Sequence, residues 1–333
     1  MFKNPIIRFF FRTAFMLLVT LLLTLILLVQ PVFKAKNTMP SLARVKSLKS
    51  SVYQLSETLL KSTSIANLLD VKADYIFQQM KKYQTDVNYQ EFDVMGLPHR
   101  NIVVTIRGKN PRCGLFVIGA HYDSYDNLAG ADDNSSGVAG LIELGSLYST
   151  NPPICDLQLV AYTLEEPPYF RSEFMGSYIH AKELKDKQVD VKLMLSLEMI
   201  GYFNDNKDSQ DYPINGLEHL YSDRGNFISI VGNLSQISVT RFFKASMRGV
   251  SDLPVYSINA PSLLAGIDFS DHLNYWRFGF PALMISDTAF NRNKNYHTAF
   301  DTADRLNYRR MAQVVDAVYY ALQQYMLEEV VTQ

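Results

Sequence analysis

Between residues 115 and 197 the sequence alternates short, β-prone apolar runs with stretches that carry apolar side chains at helical spacing. The runs cover 115–118, 157–163 and 193–197, and the helical stretches between them cover 137–148 and 176–185. Short apolar runs bounded by turn residues suit strands buried on both faces. Strand and helix alternating at this spacing build βαβ units and therefore a mostly parallel sheet. The expectation is an α/β fold: a mixed, mostly parallel central sheet flanked by helices. At 333 residues the chain can bury a large core.

Around this centre the periodicity predicts helices over 45–60 and 71–83, broken at 61–64, and strands over 87–94 and 101–107 with a turn at 95–98. A further strand is expected over 227–231, a helix around 240–247, a last strand over 281–286 and a terminal amphipathic helix over 309–325. Residues 202–266 are otherwise rich in Asn, Asp, Gly and Pro and read as an insertion over the edge of the sheet.

The N-terminus adds a different constraint. Residues 14–29 are an unbroken run of apolar residues and threonines, preceded by Lys3, Arg8 and Arg12. A cleaved signal has a shorter apolar core and a small-residue cleavage site, and the residues from Gln30 to Lys36 supply no good one. An uncleaved transmembrane helix is the preferred reading, with a signal segment as the alternative. Residues 1–30 are thus read as anchor or signal, 31–45 as a linker and 46–333 as the folded domain. Either reading places that domain outside the cytoplasm, periplasmic or extracellular. Basic residues flank the run on both sides, so charge gives little orientation. The net charge of −1 leaves no basic excess to neutralise phosphates, which argues against a nucleic-acid partner. Cys113 and Cys155 each stand just before an apolar run. If those runs are parallel neighbours, the thiols share one sheet edge and could bridge in an oxidising compartment; otherwise they are two separate buried thiols.

Acids and histidines collect just past the expected strands. His121 and Asp123 close the first run, and Asp132 and Asp133 stand at the entrance to the helical stretch that follows. Glu165 and Glu166 follow the second run, Glu198 follows the third, and Tyr296, His297 and then Asp301 lie beyond the last. In open α/β sheets that rim is where ligands bind. Zinc takes neutral imidazole and carboxylate ligands, and paired zinc ions need a carboxylate shared between them. A carboxylate that is not a ligand can then move a proton. Adjacent Glu165 and Glu166 suit that division, and Asp123 is placed to orient the His121 ring. Bland readings exist for some of these residues: Asp132 could cap the helix after it, and Asp271 with His272 reads as structural. His99, His180 and His219 read as surface or core residues.

The ordered segments HYDS, GADDNSSG, EE, LEMIGY, SDH and YHT…DT resemble the co-catalytic di-zinc aminopeptidase family, a resemblance that covers roughly Val45 to the C-terminus. These zinc exopeptidases include secreted bacterial aminopeptidases, glutamate carboxypeptidase and, as a divergent branch, glutaminyl cyclase. The resemblance implies two zinc ions, one bound by His121 and Glu198, the other by Glu166 and His297, with Asp133 bridging them. It makes Glu165 the general base of a metal-bridged hydroxide attack and Tyr296 a donor to the tetrahedral oxyanion. It implies removal of N-terminal residues from peptide substrates, with 202–266 shaping the substrate pocket. It also makes the runs after the two cysteines neighbours, so a Cys113–Cys155 bridge is expected. Several family members carry Asp where this chain has Glu198, the same carboxylate on a shorter arm. Two other outcomes are a cyclase-like single-zinc acyltransferase and an inactive member serving as a binding protein. The cyclase branch places Trp where this chain has Tyr296 and does not use an equivalent of Glu198 as a ligand. Inactive members typically lose ligands, and all five are present here.

Overall fold

The computed structural model describes residues 5–32, 38–64, 67–213 and 216–332. Among them, eight strands form one sheet: β1 (Val87–Val94), β2 (Leu97–Ile106), β3 (Leu115–His121), β4 (Asp156–Tyr162), β5 (Val191–Glu198), β6 (Ile228–Gly232), β7 (Val255–Asn259) and β8 (Ala282–Ser286). Their spatial order is β1-β2-β4-β3-β5-β8-β6-β7. Strands β4, β3, β5 and β8 are parallel, β6 runs antiparallel to β8, and β7 runs parallel to β6. Antiparallel β1 and β2 close the other side. The carboxyl ends of the four central parallel strands therefore share one rim.

The helices are α1 (Pro5–Val29), α2 (Val45–Tyr53), α3 (Leu59–Ser62), α4 (Leu68–Lys81), α5 (Gly137–Thr150), α6 (Gly176–Asp186), α7 (Ile237–Arg248), α8 (His272–Arg277) and α9 (Tyr308–Thr332). All seven residues of β3 are buried, and successive side chains point to opposite faces. Phe116 and Ile118 join the larger core with α2, α4, α5, α7 and α9. Leu115 and Val117 pack with Ala181 and Leu184 of α6 and Tyr275 of α8 on the other face. Covering a parallel sheet on both faces lets its strands read as unbroken apolar runs.

The sequence-based expectations differ from this architecture at four places. The β1–β2 turn is shorter than expected: Met95 and Gly96 close it alone, both with positive φ of 54° and 85°. Strand β7 was not expected, because Val255, Tyr256, Ser257, Ile258 and Asn259 mix polar and apolar residues in a Pro- and Asn-rich region. With β6 it gives residues 202–266 two strands of the sheet itself. The single helix expected over 45–60 is α2 and α3 joined through a wider π-type turn, Gln54–Thr58. Helix α1 extends beyond the apolar run, starting at Pro5 and carrying Arg8 and Arg12 on its first turns.

Helix α1 is long and apolar enough over Pro5–Thr24 to cross a membrane, and this window is wholly exposed. Its C-terminal end is docked on the domain: the Val29 carbonyl accepts from Lys244 Nζ at 2.7 Å and from Ser257 Oγ at 3.3 Å. Gln30, with φ of 49°, is 3% exposed and donates to Asn259. Cys113 and Cys155 are bridged, Cα to Cα 5.4 Å, immediately ahead of the neighbouring strands β3 and β4.

Candidate metal centre

The site is assembled from loop starts on the common rim. His121 ends β3 and Glu198 ends β5, its parallel neighbour. Asp133 comes from the connection between β3 and α5, Glu165 and Glu166 from the loop after β4, and His297 from the loop after β8. His121 Nε2 lies 3.4 Å from Asp133 Oδ1 and 3.4 Å from Glu198 Oε2. His297 Nε2 lies 3.2 Å from Asp133 Oδ2 and 3.2 Å from Glu166 Oε2. The two donor groups, His121–Asp133–Glu198 and Asp133–Glu166–His297, share Asp133, and within each group the donor atoms lie within 4.8 Å of one another. Glu165 stands to one side, its Oε2 3.8 Å from His121 Nε2.

The donor chemistry fits a metal. His121 Nε2 and His297 Nε2, which face the two donor groups, are buried and have no hydrogen-bond partner. Buried polar atoms are almost always satisfied, and leaving them bare is costly. A cation facing each group would satisfy them together. The crowding of acids also governs proton affinities. Burial raises the Glu166 carboxyl to about 7, with Asp133 adding to the effect. Burial likewise opposes ionisation of Asp133, but its two imidazole neighbours outweigh that and bring it down to about 2. For His297, Asp133 and Glu166 overcome burial and lift the imidazole to about 9. Glu165 is pushed well above the usual carboxylate range by burial first, then by Glu198 and Glu166.

Partners around the donors hold them in place. Asp123 Oδ1 lies 3.5 Å from His121 Nδ1, and its Oδ2 accepts the Glu166 backbone N–H at 3.0 Å. Asp301 accepts the backbone N–H groups of Asp132 and Asp133. Asp132 does not cap α5: its carboxylate accepts from the Gly201 N–H at 3.0 Å and from Asn293 at 3.2 Å. Ser270 donates to Glu198 Oε2 at 2.7 Å and meets Ser196 at 2.8 Å. His272 faces the Ile267 carbonyl at 2.8 Å, a structural placement. Leu164, Met199 and His297 have φ of 59°, 50° and 56°, so the backbone on both sides of the donors sits in the left-handed region. Such strain gathers at sites where the surroundings over-determine it.

Three contributors escaped the reading of the sequence. Tyr125 stacks on His297 at 4.0 Å, while Tyr296 stacks on its other neighbour side at 3.7 Å. Only the position of Tyr125 next to the HYDS segment hinted at this. Lys72 of α4, 2% exposed, reaches the Tyr122 carbonyl and Ser124 Oγ at 3.4 and 3.2 Å. Burial lowers its ammonium to about 8 against the pull of Asp123 and Glu166. A lone lysine in an amphipathic helix carries no signal of such a place. The third is the part of the apolar pocket beside Glu198 that lies outside 202–266: Phe269 and Phe290 line it together with Tyr212, Tyr221, Phe227 and Tyr256.

Residues 101–322 match peptidase family M28. The chain is 46% identical over 315 residues to YfbL of Escherichia coli K12, an uncharacterized protein, covering 92% of this chain and 96% of that one. Leucine aminopeptidase 1 of Blastomyces gilchristii is 26% identical over 223 residues, covering 64% of this chain and 52% of the relative, so the match spans about half of that protein. The fold is shared with BSAP, a zinc aminopeptidase from Bacillus subtilis, at a TM-score of 0.65, 14% identity and coverage of 86% and 96%. The match of residues 101–322, two-thirds of the chain, together with its 46% identical relative, establishes that the chain belongs to peptidase family M28 and is a peptidase.

Proposed function

We propose that the chain is a membrane-anchored, extracytoplasmic zinc aminopeptidase with two metal positions. The carrying observation is Asp133, whose two oxygens each face a different imidazole and complete a separate donor group. His121 and Glu198 would hold one zinc ion, Glu166 and His297 the other, with Asp133 shared. When bound, the ions would supply Lewis-acid polarisation of the peptide carbonyl and a water acidic enough to ionise near neutral pH.

The remaining work belongs to side chains. Glu165 accepts the water proton and delivers it to the leaving amine; its burial favours the protonated state and so strengthens it as an acceptor. Tyr296 donates to the oxyanion. Asp123 fixes the His121 ring, and the aromatic pocket beside Glu198 receives one apolar side chain of the substrate. The similarity to a leucine aminopeptidase and the fold shared with a zinc aminopeptidase support the aminopeptidase polarity.

The test is a matched peptide set with an apolar first residue, offered with a free or an acetylated N-terminus. An aminopeptidase releases the first residue from the free peptide alone. Cleavage of the acetylated peptide at an internal bond, or release from the C-terminus, overturns the polarity. Metal analysis of the purified protein should give two zinc ions per chain, with activity lost to a chelator and restored by zinc. One ion per chain would favour the single-zinc acyltransferase chemistry instead.

A further inference from the structure

Three segments converge where α1 meets the domain. Gln30 donates to Asn259 at the end of β7, and Asn259 Nδ2 donates to the Asn233 carbonyl just past β6 at 2.6 Å. Ala260 N–H closes the group on the Gly232 carbonyl at 3.2 Å. The loops leaving these strands, 233–236 and 260–266, therefore flank the point where the helix enters.

Both loops are unusual in composition. Residues 225–240 and 253–267 contain no charged residue. Each loop also presents a leucine to the outside: Leu234 is 54% exposed and Leu263 98% exposed. Single exposed leucines are ordinary on protein surfaces. Two of them on neighbouring uncharged loops, beside a wholly exposed apolar helix, are a different matter. The exposed charges of neighbouring α7 are basic, Arg241 and Arg248, and Arg248 donates to the Val32 carbonyl just past α1 at 3.0 Å; the second segment is followed by Asp268, which is paired with Arg171. Exposed apolar side chains backed by basic residues are what a bilayer interface accepts.

We infer that this pole of the domain rests on the membrane, with Leu234 and Leu263 inserted among the lipids beside α1. The inference rests on the anchor reading given above. It adds that the domain is seated on the bilayer rather than tethered. Because β6 and β7 run opposite to β5 and β8, the Gly232 and Asn259 ends lie at the far end of the sheet from Glu198. Glu198 is level with Ser286 and so with Ser229, three residues before Gly232; at about 3.3 Å per residue the two ends are roughly 10 Å apart along the strands. The metal-site rim faces away from the lipid. The same loop that carries Leu263 continues as Leu264, Ala265, Gly266 and Ile267 into the wall of the aromatic pocket, so lipid contact also steadies that wall.

The native cysteines are bridged, so a single introduced cysteine is the only free thiol. Full-length Leu234→Cys, Leu263→Cys and Met95→Cys are labelled with an environment-sensitive fluorophore and placed in phosphatidylethanolamine–phosphatidylglycerol nanodiscs, one chain per disc. Met95 is the control, 79% exposed at the β1–β2 turn on the metal-site side. Labels at 234 and 263 should be blue-shifted, quenched by doxyl-lipid and several-fold less accessible to iodide than the label at 95. Iodide quenching equal at all three positions overturns the seating. If that occurs while the protein still floats with lipid after carbonate washing, the anchor reading survives alone; if the protein does not float, both fall. Shielding seen only when two chains share a disc would assign the patch to a second copy and overturn the lipid assignment.

Discussion

Glu165 and Glu166 are adjacent in sequence and differ in what surrounds them. Glu166 faces His297 and is locked through its backbone N–H by Asp123, whereas Glu165 stands off His121 at 3.8 Å. Glu165→Gln keeps the shape and removes the proton acceptor. It should cost at least the ~10²–10⁴-fold typical of general acid–base catalysis while both metals stay bound. Glu166→Gln should lower metal occupancy together with rate. Zinc content beside activity for the two variants decides: loss of zinc from Glu165→Gln with Glu166→Gln fully loaded reverses the roles. Ser270 offers a gentler probe, because its hydroxyl donates to Glu198 Oε2 and to nothing that would contact substrate. Removing a partner that orients a ligand typically weakens metal affinity by roughly 10–100-fold. Ser270→Ala should therefore need a correspondingly higher free zinc for half-maximal activity, with kcat at saturating zinc little changed. A collapse of kcat at saturating zinc would place Ser270 in the chemistry itself.

At the scale of elements, the bridge between Cys113 and Cys155 ties the entrances of β3 and β4, the strands that deliver His121 and the Glu165–Glu166 loop. Closing a loop with a sequence separation of 42 stabilises by about 4 kcal/mol in the chain-entropy picture. The Cys113→Ser, Cys155→Ser double variant should lose up to that amount in denaturant unfolding, with an m-value unchanged or raised as the unfolded chain expands; no shift in midpoint would show that packing alone fixes these strands. The bridge was legible only conditionally, since cysteine spacing says nothing until the two strands are known to be neighbours. Strands β3, β4 and β5 were legible outright, because burial on both faces leaves continuous apolar runs. Strand β7 was not, since at the sheet margin it alternates Tyr256 and Ile258 with buried Ser257 and Asn259, and these polar residues serve Val29 and Asn233. The proposed donors stood out in the sequence because each lies inside a recognisable segment, although only His121 and Glu198 close a strand. Of the residues that steady them, Lys72 and Tyr125 did not, and Ser270 stood inside the SDH segment with no role assigned. Their roles depend on contacts 50, 172 and 72 positions along the chain, to Tyr122, His297 and Glu198, and local patterning holds no trace of such pairs.

Across the whole molecule the proposed metal donors come from five separate places: the ends of β3 and β5, the entry to α5, the loop after β4 and the loop after β8. A ligand that joins so many elements binds the folded chain and not the unfolded one. Its binding free energy then adds to the stability of the fold as RT ln(1 + [L]/Kd) for each site. At free zinc a hundred times each Kd, one site contributes about 2.7 kcal/mol, so two independent sites contribute roughly 5 kcal/mol. For domains of 150–250 residues each kcal/mol moves Tm by about 2–4 °C, which puts the expected rise between metal-free and zinc-loaded protein on the order of 10–20 °C. The rise should grow with the logarithm of free zinc and show no plateau while zinc stays in excess. The variants sharpen the reading. Glu165→Gln, which alters no proposed ligand, should keep nearly the full rise. His297→Ala removes a donor from one group and leaves the other whole, so it should keep about half. Scanning calorimetry on chelated and zinc-buffered full-length protein in detergent measures all three. A metal-free protein whose Tm does not respond to added zinc would show that the native state does not bind it, and the metal reading of the site would be abandoned. Equal rises for His297→Ala and the parent would leave one ion held by His121, Asp133 and Glu198, and would move the chemistry to the single-metal alternative.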